Sequence, residues 1–89
     1  MITQKTINTV FEKIEAIRTQ KEIIEYNESQ AIEAVDRYNE YVNQNTDKTE
    51  EELKDSWRYD EIKKTQQKIN TAKWVLELML KDLAKEIGK

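Results

Sequence analysis

Residues 43–53 read NQNTDKTEEEL. It holds the densest turn chemistry of the chain. Thr49-Glu50-Glu51-Glu52 fits a capping box. The Thr49 hydroxyl can accept from the backbone N–H three residues on, while Glu52 reaches back. Three acids in a first turn also suit the positive end of a helix dipole. A helix therefore starts at 49, and the residues just before it are a loop, at about 45–48.

The residues before the loop keep a 3-4 apolar spacing. Ile7, Val10, Ile14, Ile17, Ile24, Ala31, Val35, Tyr38 and Val42 fall on one stripe. In heptad letters, a is at 7, 14, 21, 28, 35 and 42, and d is at 10, 17, 24, 31 and 38. Lys21 and Glu28 interrupt it at a, and Phe11 and Ile32 widen it on one side. Thr3 is placed to cap the start. This predicts a first helix over about 4–44. Beyond the loop, Ile62, Thr65, Ile69, Ala72, Leu76, Met79 and Leu83 form a second stripe, with Leu80 and Ile87 beside it. This predicts a second helix over about 49–87.

A short connection makes consecutive helices antiparallel neighbours. The expected architecture is all-α, a long antiparallel helical hairpin in one domain spanning 1–89. Folding the chain about its loop sets residue i opposite roughly 93 minus i. Ile7–Ile17 then face Leu76–Glu86, and Glu22, Glu25 and Glu28 fall opposite Lys63, Lys64, Lys68 and Lys73. Glu33–Arg37, Glu50–Lys54, Asp60–Lys64 and Glu77–Lys81 add acid-before-base pairs four residues apart. The alternative is a three-helix bundle, with a break near 27–29 and Asn27 or Ser29 as a new cap.

Composition narrows the chemistry. The 89 residues include no Cys, no His, no Pro and one Gly, with a net charge of −3. The common nucleophile–base pairs need Cys or His, and structural zinc sites do too. A phosphate-cradling loop needs several glycines. The loop lacks the central Gly of a calcium-binding EF-hand. No catalytic, cofactor-binding or metal-ligating residue is assigned, and no enzyme or cofactor is expected. Lys63, Lys64, Lys68 and Lys73 make one segment basic, yet the net acidic charge opposes phosphate-backbone binding. Nucleic acid and membrane are not expected partners, and the expected location is the cytoplasm.

What remains is an excess of apolar residues. Residues 73–80 read KWVLELML. Leu76, Met79 and Leu80 lie on the hairpin side of this helix at 100° per residue. Trp74 and Leu78 lie on the far side, with Val75 between, and Trp57 leans the same way. Helix one carries a weaker second stripe of Ala16, Ile23, Ala34 and Tyr41. A hairpin covers one stripe per helix, so the expected contact surface is Trp57, Trp74, Val75 and Leu78 with Ile23 and Tyr41. Large aromatics at such sites favour a protein interface. The expected function is a helical protein-protein interaction or structural module. The expected partner is a second copy, forming a homodimeric four-helix bundle. The alternative is a small inhibitor from a phage or plasmid that blocks a host enzyme by surface contact, which the AT-rich coding flavour of the composition allows.

Overall fold

A computed structural model describes residues 2–88. Helix α1 spans Gln4–Gln44, α2 spans Glu50–Lys54 and α3 spans Trp57–Ile87. The expected all-α hairpin forms, with α1 and α3 packed along each other. Its extents are 69 × 17 × 13 Å. The 41 residues of α1, at about 1.5 Å each, account for roughly 60 Å of that length. The radius of gyration is 19.9 Å, against about 12 Å for a compact domain of this size.

Both predicted caps are in place. Thr3 accepts from the Thr6 N–H at 3.2 Å, and Thr49 accepts from the Glu52 N–H at 3.2 Å. Thr49→Ala leaves that N–H without its partner. It should cost about 1 kcal/mol, read as a lowered urea midpoint with an unchanged slope.

The second helix departs from the expected single run over 49–87. It is interrupted at Asp55 and Ser56. Ser56 takes extended backbone angles (φ −72°, ψ 146°), and its hydroxyl accepts from the Arg58 N–H at 3.1 Å. Asp and Ser bond readily to nearby backbone groups outside the helical conformation, so this adjacent pair ends one helix and starts the next. The alternative break near 27–29 does not occur, and α1 is continuous through it.

Cross-helix contacts set the register. Lys13 pairs with Asp82, Gln20 Nε2 donates to the Ala72 carbonyl at 3.0 Å, Arg37 pairs with Glu61, and the Tyr38 and Tyr59 rings lie 5.6 Å apart. These numbers add to between 92 and 98, against the expected 93. The largest departures, 97 and 98, lie at the turn end, where α2 and the Ser56 break take up residues that a straight helix would have laid along α1.

The stripe of α3 lies inward as expected, with Thr65, Ile69 and Ala72 buried and Ile62, Leu76, Met79 and Leu83 half-buried. The stripe of α1 is corrected. Positions d and g face α3, not a and d. Ile17 and Ile24 (d) are buried, and Ala34 (g), expected on an outer stripe, has no exposure at all. Ile7, Ile14 and Val35 (a) are exposed. The cause is the pair of charges at a. An inward a seam would set Lys21 and Glu28 against the uncharged stripe of α3, and burying charges without a partner costs more than apolar neighbours offset. Rotating α1 sends both to solvent and brings g inward. There Lys13 finds Asp82, and the neutral Gln20 finds a carbonyl.

The charge expectations fare unevenly. Glu33–Arg37 and Glu50–Lys54 form, at 3.8 and 3.1 Å. No ion pair joins Glu22, Glu25 or Glu28 to the lysines at 63, 64, 68 and 73 among the described residues. The cross-helix pairs are instead Lys13–Asp82 and Arg37–Glu61.

Candidate interaction surface

The rotation of α1 leaves a core too thin to hold the chain's apolar residues. Its buried hydrophobic residues are Ile17, Ile24, Ala34, Ile69 and Ala72. Many other large apolar side chains are exposed, and most of them gather in three places.

The first is the back of α3. Trp74 and Leu78 each stand two residues from the inward-leaning Leu76, hence about 160° round the helix from it. They are one turn apart, and Trp74 is 59% exposed. Val75 is half-buried and belongs to a groove between the helices. It lines a shallow cleft with Ile23, Asn27, Lys64 and Lys68.

The second is the turn end. Trp57 lies 17 residues from Trp74, about 25 Å along the helix, so the two tryptophans do not share a patch. Arg58 stacks between Trp57 and Tyr41, its guanidinium carbon 4.5 and 5.2 Å from the ring centres. Lys48 Nζ donates to the Tyr41 hydroxyl at 2.9 Å. That hydrogen bond leads the causes that hold the Lys48 ammonium above its ordinary pKa. Tyr41 is half-buried and holds the turn together. The six residues expected to form one contact surface therefore fall in separate places. Trp74 and Leu78 adjoin, Val75 and Ile23 share a cleft, and Trp57 and Tyr41 sit together at the turn.

The third place is one flank of the hairpin, along positions a and e of α1. At the open end, Ile2, Ile7, Val10 and Phe11 line an apolar groove of about 290 Å³ with Ile87. Phe11 is 63% exposed, Ile32 is 64% exposed, and Ile14, Val35 and Leu80 are exposed as well. Further along the same flank, Lys21, Glu25 and Glu28 line a shallow groove with Lys73. Sequence reasoning did not assign this face to contact. The signal was there in Phe11, Ile32, Leu80 and Ile87, the apolar residues lying beside the stripes and not on them.

The polar inventory is sparse. Lys13 is held above its ordinary pKa chiefly by its hydrogen bond to Asp82, and Arg37 likewise by Glu61. Glu61 Oε2 is buried without a protein partner, in a cleft ringed by Lys64 and Lys68. Among the described residues no three acidic side chains converge as a metal ion would require. No helix among them is long and apolar enough to cross a membrane. Set against family models, curated proteins and solved structures, the chain finds no match, and its geometry is what speaks for its role.

Proposed function

We propose that the chain is a helical interaction module that works by binding, not catalysis, and that it self-associates through faces the hairpin leaves exposed. One observation carries this reading. The hairpin exposes 7039 Å², whereas a compact monomer of 10.7 kDa exposes about 5,500 Å². Two separate copies would expose about 14,000 Å², and a compact particle of twice the mass about 9,100 Å². The difference, about 5,000 Å², is the upper limit that pairing could remove, and obligate homodimers bury about 2,000–5,000 Å².

Sedimentation tests the reading. A dimer should be the main species at about 100 μM, a hundredfold above a micromolar Kd, and it should dissociate on dilution. A mass of one chain at that concentration would refute self-association.

A further inference from the structure

The exposed flank of α1 is complementary to its own reverse. Read along the helix, it runs apolar, basic, acidic, apolar. Between Ile7 at one end and the polar Asn39 at the other, Phe11 and Ile14 come first, then Arg18 and Lys21, then Glu25 and Glu28, then Ile32 and Val35. All are exposed, and all occupy positions a or e of one heptad phase. The charges among them are uncommitted in the hairpin. Arg18 makes only a 4.0 Å contact with Glu15, and Lys21, Glu25 and Glu28 form no ion pair among the described residues.

We propose that this flank seats a second copy of the chain, antiparallel, about a two-fold axis level with residue 23. The inference rests on the self-association reading and adds to it a face and a register. Residues whose numbers add to 46 then meet. Phe11 lies opposite Val35 of the second copy, and Ile14 opposite Ile32. Arg18 lies opposite Glu28, and Lys21 opposite Glu25. A two-fold interface repeats each pair, so four apolar and four opposite-charge pairs form at once. The axis falls beside the centre of α1, which spans Gln4–Gln44, so the two hairpins overlap along nearly their whole length. Ile87, which lines one groove with Ile7 and Phe11, extends the apolar end of the contact.

The alternatives fit less well. A parallel pair in register would set Arg18 against Arg18 and Glu28 against Glu28, and like charges across an interface suppress association. The opposite flank holds Ile23 and Val75 among Lys64 and Lys68, and the carboxylate beside these lysines, Glu61, is already paired with Arg37 in its own chain. The Trp74–Leu78 pair on the back of α3 is a single turn long.

Charge exchange tests the face and the register in the full chain. One variant carries Arg18→Glu and Lys21→Glu, and the other Glu25→Lys and Glu28→Lys. Each should keep its helical circular dichroism, because all four side chains are exposed. Each should self-associate at least about 100-fold more weakly than the parent. Mixed in equal amounts they should form a heterodimer, since every opposed pair is then of opposite sign. Trp74→Glu should leave dimerisation unchanged. Because the chain has no cysteine, Ile14→Cys mixed with Ile32→Cys gives an independent measure, with disulfides expected between unlike chains.

A dimeric parent whose two charge variants dimerise as tightly would overturn the face, as would loss of the dimer on Trp74→Glu alone. Variants that stay monomeric when mixed would likewise overturn the face, and disulfides that join like chains would overturn the antiparallel register. A parent that is monomeric at about 100 μM would overturn the self-association reading itself.

Discussion

Ile69→Ala is expected to destabilise the hairpin by about 2–5 kcal/mol, the cost of removing a buried isoleucine and leaving its cavity. Ile69 is one of three buried isoleucines, the others being Ile17 and Ile24. Total stability of small domains is about 5–15 kcal/mol, so this one change should remove a large share and can unfold the chain near body temperature. The two-layer geometry makes collapse around the gap difficult. A helix pair has no third element to move inward, and neighbouring side chains already alternate between half-buried and exposed. Trp74→Ala is the contrasting case. Trp74 is larger, yet it stands on the back of α3, and the change should shift stability by no more than about 0.5 kcal/mol. Urea denaturation at low protein concentration measures both without the contribution of association. Equal losses at the two positions would mean that α3 packs by a different face.

Which parts of this arrangement can be read from residues follows from how many constraints meet at each position. The stripe of α3 is unambiguous because no charge falls on its 3-4 spacing from Ile62 to Leu83. Thr3 and Thr49 are legible as caps because each stands beside a change in composition. Ser56 is harder. An Asp-Ser pair is tolerated in exposed helix, and only the path of the backbone decides that its hydroxyl turns to the Arg58 N–H. The orientation of α1 is the instructive case. Ile7, Ile14 and Val35 argue for an inward a seam, while Lys21 and Glu28 argue against it. Counting apolar residues favours the first. The free energy of burying a charge exceeds that of exposing an isoleucine, which favours the second. The outcome displaced the candidate surface as well. Once α1 turns, Ala34 goes into the core, and the side of α1 with the largest exposed residues becomes the flank of Phe11 and Ile32.

A proline scan should locate the true helix boundaries with the sharpest contrast. Gln30→Pro falls in the continuous part of α1. There it removes the bond from the residue 30 N–H to the Tyr26 carbonyl and drives its ring against that carbonyl, a loss of about 3 kcal/mol or more. In a three-helix bundle capped at Ser29, the same proline would occupy the first helical position, where proline is welcome. Trp57→Pro should behave in the opposite way. Trp57 opens α3, and Ser56 before it already has φ −72° and ψ 146°, the extended conformation that a following proline favours. The substitution loses the stacking of Arg58 on the Trp57 ring, worth about 0.5–1 kcal/mol at an exposed site. It gains about 0.4–1 kcal/mol by restricting the unfolded chain. The net change should stay within about 1 kcal/mol. Thermal melts of the two variants side by side read the difference directly. A tolerated Gln30→Pro would place a helix break in α1, and a damaging Trp57→Pro would show that α2 and α3 run on as one helix.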